Sequence, residues 1–104
     1  MLFQKIYGIV RNIPTGKVLT YKTIAYRLGI KDIRLIGYAL HSNPDVNNIP
    51  CHRVVKSDGS LAKGFAFGGG GVQKQLLQQE NIIFNPEGKI DLSRFLWTIP
   101  KEIF

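Results

Sequence analysis

The sequence predicts a small domain that is mainly α with a small β element. Three observations carry that prediction. Three segments with apolar residues at helical spacing crowd into the first 42 residues, one short β-branched run follows, and glycine or proline stands wherever a segment must stop. The chain has 104 residues, 44% of them hydrophobic and 20% charged, which suits one core and is too little for two, so a single domain over 1–104 is expected.

Phe3, Ile6, Tyr7 and Val10 recur at i, i+3, i+4 and i+7, one face of an amphipathic helix that should stop near Pro14 and Gly16. Thr20 offers an N-cap for a second helix, where Tyr21, Ile24, Ala25 and Leu28 repeat the spacing up to Gly29, a residue suited to the left-handed helix end. Ile33, Ile36, Gly37 and Leu40 form the third set, with Asp32 as its cap and Asn43-Pro44 as its stop. Two short helices joined by a three- or four-residue turn containing glycine describe a helix-turn-helix, whose outer face here carries Arg34, Tyr38 and His41. An ordinary helical hairpin with a polar outside has the same pattern.

The second half is more broken. "NPDVNNIP", residues 43–50, is a loop fenced by prolines, "CHRVV" after it should be extended, and "KSDGS" reads as a turn. "GFAFGGGG", residues 64–71, is too glycine-rich to pack as an element, and a helix is expected from Val72. It is no Walker-type phosphate loop, because Lys74 lacks a following Ser or Thr. Gln73, Leu76, Leu77 and Glu80 share one face of that helix, so Glu80 ends an inward stripe where a carboxylate needs a partner. "NPEG" then makes a turn, and Phe95, Leu96 and Trp97 are expected in the core.

Net charge is +7, and residues 1–44 hold seven Lys or Arg against the single acid Asp32. That imbalance favours a polyanionic partner, although a merely basic surface would give the same count. No apolar run approaches the ~20 residues that span a bilayer, and the N-terminus is not patterned as a secretory signal. No membrane association is expected, and the expected compartment is the cytoplasm.

Cys51 is the sole cysteine. It cannot form an internal disulfide, and with His52 and distant His41 it falls short of a zinc-ligand spacing, so neither metal nor cofactor is expected. A thiol becomes a nucleophile when its pKa falls beside a positive or hydrogen-bonding group. Adjacent residues of an extended strand point to opposite faces, so His52 could reach Cys51 only through a bend or a bridging water. If Glu80 holds the imidazole, the order Glu, His, water, Cys is a proton path. A buried Cys acting as a small hydrophobe, with a structural His and a surface Glu80, fits the residues equally.

"IPCHRVV" resembles the active-site signature of the O6-alkylguanine-DNA alkyltransferases, and "TGKVLTYKTIA", "IRLIGYAL" followed by "NP", and "KQLLQQE" resemble that family's other segments in order, over roughly residues 3–97. The resemblance implies a winged helix-turn-helix DNA-binding domain, the catalytic domain of the family without the N-terminal domain of its full-length members. It implies irreversible, single-turnover transfer of an alkyl group from O6 of guanine to Cys51, with His52 and Glu80 activating the thiol and no cofactor. By the same resemblance Arg34 is the finger that replaces the flipped guanine, and Tyr21 rotates the nucleotide and donates a proton toward the departing base. Asn43 links the recognition helix to the active-site loop. Arg53 is structural, Val54 offers its carbonyl to the guanine amine, Lys74 opens the last helix near the site, and Phe65 or Phe67 lines the alkyl pocket. The implied partner is double-stranded DNA containing O6-alkylguanine, bound by a monomer through the minor groove.

Val46, Asn47 and Asn48 depart from the family pattern in the loop before Cys51. Two other readings stand beside the transferase. The alkyltransferase-like proteins keep the fold and the flipping but replace the cysteine, commonly by tryptophan, and act as lesion sensors; the intact Cys51 argues against that class. A transcription regulator on the same scaffold would have no use for a Cys-His-Glu set.

Overall fold

The structure, a computed structural model, describes residues 2–62, 65 and 67–103. Its elements run α1 (Leu2–Arg11), β1 (Leu19–Thr20), α2 (Tyr21–Leu28), α3 (Arg34–His41), a 3-10 turn (Cys51–Arg53), β2 (Val54–Val55), α4 (Gly69–Gln79) and α5 (Leu92–Phe95). The domain is therefore mainly helical with a small sheet.

The first three helices form where the periodicity places them. Ile6, Tyr7, Ile9 and Val10 bury one face of α1, and the Tyr7 hydroxyl donates to the Ala39 carbonyl at 2.8 Å, tying α1 to α3. Thr20 is extended and its Oγ1 accepts from the Thr23 N–H at 3.0 Å, so the hydroxyl satisfies a donor that the first turn of α2 leaves open. Gly29 closes α2 in the left-handed region at φ +68°, which lets the Ile30 N–H return to the Ala25 carbonyl at 2.8 Å. Asp32 opens α3: its carbonyl accepts from the Leu35 N–H at 3.0 Å and its carboxylate from the Arg34 N–H at 3.1 Å. The α2–α3 connection, residues 29–33, is longer than the expected turn because Asp32 and Ile33 form a 3-10 lead-in to the helix.

β1 and β2 pair in parallel, Leu19 opposite Val54 and Thr20 opposite Val55. A parallel pair needs a long crossover, and α2, α3 and the loop 43–50 supply it. The sheet thereby brings the end of the Cys51 turn beside the start of α2. On the other side of this edge Val18 bridges Leu96: the Val18 N–H donates to the Phe95 carbonyl at 3.0 Å and the Trp97 N–H to the Val18 carbonyl at 2.8 Å.

Three expectations need correction. Cys51–Arg53 is a 3-10 turn, and only Val54–Val55 is extended; Pro50 presets its own φ at −76° and its carbonyl accepts from the Arg53 N–H at 2.9 Å, so the chain bends before the β-branched pair begins. Gly69–Gly71 belong to α4 rather than to a loop; glycine weakens a helix by only about 1 kcal/mol per residue, which burial of Gln73 and Leu77 further along can outweigh. Gly64 and Ala66 of the glycine-rich stretch, and Lys63 before it, lie outside the described residues. Leu96 is exposed, not core, because alternation along its bridged segment turns Phe95 inward and the next side chain out.

The turns hold. Gly59 sits at φ +87°, and a Cβ there would meet the Ile90 carbonyl oxygen at 2.2 Å, so the 56–60 turn packs backbone to backbone against Ile90. The Asn85 N–H donates to the Lys89 carbonyl at 2.8 Å across the second turn. One core cluster gathers α1, α2 and α3 with Ile49, Cys51 and Val54; a second gathers Val18, Val55, Leu77, Ile82, Ile90 and Phe95. Among the described residues no helix is long and apolar enough to cross a membrane.

Candidate functional site

Cys51 lies where the two halves meet, only 4% exposed, at the first position of the 3-10 turn. Burial pushes its thiol up; the Asn43 amide and the backbone N–H groups of Cys51 and His52 point toward sulfur and work the other way without offsetting it. Asn43 is itself buried, its Nδ2 donating to the Ile49 carbonyl at 2.8 Å and its Oδ1 accepting from the Asp45 N–H at 2.9 Å. It thus stitches the end of α3 to the loop that carries Cys51.

His52 stands at the second position of the turn and faces Glu80. Its Nε2 meets Glu80 Oε2 at 2.8 Å, both side chains 14% exposed. With Nε2 committed to the carboxylate, Nδ1 is the nitrogen left to take part in proton transfer. Glu80 at the end of α4 is also gripped by Arg53, Nε to Oε1 at 2.9 Å and Nη2 to Oε2 at 2.8 Å. Arg53 Nη1 donates to the Ile13 carbonyl at 2.8 Å, and Nη2 to Thr15 Oγ1 at 3.0 Å, which anchors the set to the end of α1. Burial would raise the Glu80 carboxyl, but the hydrogen bonds from Arg53 and His52, with their charges, outweigh it and hold Glu80 below its ordinary range.

Sequence reasoning missed the part played by Gln73. It is 1% exposed, and its Nε2 donates to the His52 carbonyl at 3.0 Å and the Val54 carbonyl at 3.2 Å. α4 therefore holds the cysteine turn twice, by Gln73 through backbone and by Glu80 through side chains. The signal was available: a polar amide on an inward stripe must find partners. Lys74, expected near the site, is exposed, with Nζ 5.3 Å from the Phe84 ring centroid. One residue along a helix is a 100° rotation, so Gln73 and Lys74 cannot share a face.

Tyr21, first residue of α2, is half-buried; burial raises its phenol, and so does the charge Cys51 would carry, which places the two groups within electrostatic reach. Phe65 and Phe67 are both half-buried against the cluster containing Cys51, edge to face with centroids 5.8 Å apart. Val54 is buried in that cluster. Arg34, Tyr38 and His41 fall on the exposed face of α3 as the spacing requires, the Arg34 side chain 76% exposed and ion-paired to Asp32. Arg27 leaves the outward-facing basic set: its guanidinium donates to the carbonyls of Ile99 at 3.2 Å, of Pro100 and of Ile103 at 2.8 Å. Among the described residues no group of three or more His, Cys, Asp or Glu could hold a metal ion.

The arrangement defines a buried free cysteine on a basic, mainly helical scaffold, in a turn whose next residue, His52, is paired with the Glu80 carboxylate. Residues 1–82 match the family described as 6-O-methylguanine DNA methyltransferase, DNA binding domain, and the chain belongs to that family. It is 39% identical over 97 residues to the bifunctional methyltransferase/endonuclease of Picrophilus torridus, covering 90% of this chain and 31% of that protein. To alkyltransferase-like protein 1 of Schizosaccharomyces pombe it is 35% identical over 101 residues, covering 91% of this chain and 93% of that one. The crystal structure of the S. pombe protein in complex with damaged DNA containing O6-carboxymethylguanine superimposes with a TM-score of 0.79 at 32% identity, over 92% of this chain and 94% of the other. The chain spans 31% of the Picrophilus protein's length, and 50% and 43% of that of the methylated-DNA–protein-cysteine methyltransferases of Candida glabrata and Methanothermobacter thermautotrophicus, against 93% of the alkyltransferase-like protein.

Proposed function

We propose that this domain repairs DNA by direct reversal, binding duplex DNA, flipping out an O6-alkylguanine and moving its alkyl group irreversibly to Cys51. The observation that carries the reading is the free, buried Cys51 directly followed in its turn by a His52 paired with Glu80. In the transfer the sulfur–carbon bond forms as the O6–carbon bond breaks, and the freed electron pair stays on the purine. The thiol proton passes to His52 Nδ1 through a water, the imidazolium being stabilised by Glu80. Tyr21 supplies the proton that the departing guanine takes up, and Val54 holds its exocyclic amine with Gln73 fixing that carbonyl. Burial raises the thiol, so the mechanism needs the proton acceptor at His52 for the thiolate to form.

α2 and α3 serve as a winged helix-turn-helix, and α3 enters the minor groove. A base inside a duplex is out of reach of a buried thiol, so it must be extruded and its place filled, the task assigned to Arg34. Asn43 couples that helix to the cysteine loop. The exposed lysines and arginines of the first half contact phosphates, and binding should weaken steeply with salt.

A second reading, a lesion sensor that flips and flags O6-alkylguanine without reacting, is favoured by one observation: the S. pombe alkyltransferase-like protein, in complex with damaged DNA containing O6-carboxymethylguanine, superimposes on this chain with a TM-score of 0.79. Intact-protein mass spectrometry after incubation with an O6-methylguanine duplex separates the two. A methyl group added on Cys51 is the transferase result. No added mass, with tighter binding to the lesion duplex than to its unmodified twin, is the sensor result.

A further inference from the structure

Asp32 is the single acid among residues 1–44, where seven lysines and arginines stand, and it is set on the one arginine that the proposed function sends into DNA. The carboxylate takes the Arg34 guanidinium in a fork, Oδ1 accepting from Nε and Oδ2 from Nη2, both at 3.0 Å. Oδ1 also accepts from the Arg34 backbone N–H at 3.1 Å. The carboxylate is thus pinned to the start of α3, and the guanidinium is pinned to the carboxylate. Side-on pairing of this kind is the most directional contact a guanidinium makes. Arg34 cannot keep it and also enter a base stack, because the carboxylate would be carried against the phosphates of both strands.

We propose that Asp32 latches Arg34 and sets the threshold for its insertion. The inference rests on reading Arg34 as the inserting side chain. In the free protein the finger is held against α3. Insertion exchanges the carboxylate for the gap left by the flipped base, and the exchange is favourable where that base leaves its stack easily, as a weakly paired alkylguanine does. An exposed ion pair is screened by solvent, so the latch is shallow and reversible, suited to a domain that must sample many intact base pairs.

The test uses Asp32→Asn, which keeps a side-chain oxygen to cap α3 while removing the charge. Flipping is followed by stopped-flow fluorescence of a 2-aminopurine placed beside O6-methylguanine in a duplex, on a Cys51→Ala background so that no lesion is consumed, at fixed salt. The expected result is a flipping rate raised about two- to five-fold, the range of an exposed pair, with the helical circular dichroism unchanged and the gain absent when Arg34→Ala is also present. No change with Asp32→Asn alone overturns the latch. So does an equal gain with and without Arg34, which would mean simple relief of repulsion toward phosphates. If Arg34→Ala by itself leaves flipping intact, the finger assignment beneath the proposal fails instead.

Discussion

Around Cys51 each side chain is held by another: Asn43 on the thiol, Glu80 on His52, Arg53 on Glu80, Gln73 on the turn's carbonyls. Along the outer face of α3, only eight residues long, the side chains reach into solvent, and Tyr38 is 57% exposed. The difference follows from what each region must do. On the proposed function, displacing a buried group by an ångström would spoil an in-line attack, so the chemistry would have to be preorganised. A helix proposed to meet any sequence of duplex could not be fitted to one in advance and would be ordered only on binding. Substitutions in the first region should damage reaction and stability together, whereas those in the second should alter DNA handling and leave the fold alone.

The largest expected effect breaks the first region outright. Cys51→Ala should abolish alkyl transfer, read as loss of the added mass, while binding to the lesion duplex by gel shift stays within about two-fold, since the thiol offers little to affinity beyond a small buried contact. Retained transfer would sink the mechanism. Next comes Arg34→Ala in the second region. Extrusion from a duplex costs a few kcal/mol, so transfer on duplex DNA should slow by about ten-fold or more, while reaction with the free alkylguanine base is unchanged. A parallel loss on the free base would place Arg34 in the chemistry and erase the contrast between the regions.

Glu80→Gln should strike both reaction and stability. Gln keeps the shape but not the charge that Arg53 and His52 face, and removing one member of a buried set costs about 3–5 kcal/mol; at this partly solvated site a loss of about 1–2 kcal/mol is expected, read by urea unfolding. The pH dependence has a definite sign. Glu80 is held below its ordinary value of 4.5, so its stabilisation is whole above that pH and fades as pH falls through the lower folded value. The gap between wild type and Glu80→Gln should therefore close in acid, and a gap that widened there would refute the assignment.

How much of this could be read from the residues divides along the same line. α1, α2 and α3 were legible because a buried helix face repeats every three or four residues and Thr20, Gly29 and Asp32 mark its ends with known capping chemistry. The Cys51 turn was not, because β-branched Val54 and Val55 argue for extension while the bend is imposed by Pro50 and by contacts from α4, 19 and 21 residues further along. The glycines opening α4 hid a helix for the same reason: propensity is local, and packing overrode it. The Glu80 partner, the Gln73 clamp and the inward turn of Arg27 are products of tertiary proximity. At Glu80 the need for a partner and His52 as a candidate were visible but the grip of Arg53 was not, and the spacing that might have separated Gln73 from Lys74 was one residue fine.

The smallest expected effect falls on the residue that joins the regions. Thr20 pairs with Val55 in the sheet, just beyond the cysteine turn, and caps α2 directly before Tyr21. Its Oγ1 accepts the Thr23 N–H and lies 2.7 Å from the Thr23 hydroxyl, in a site where it is buried. Thr20→Val keeps the volume and the strand preference but leaves that N–H without its acceptor, which should cost about 1 kcal/mol by chemical denaturation. Because the cap fixes where α2 begins, the loss should be felt at Tyr21 rather than at Arg34. Transfer to Cys51 should slow a few-fold on duplex and on free alkylguanine alike, unlike the duplex-specific loss of Arg34→Ala. A Thr20→Val loss confined to duplex would instead mean that the start of α2 serves DNA handling alone, and the boundary between the preorganised and the reaching regions would then lie at β1.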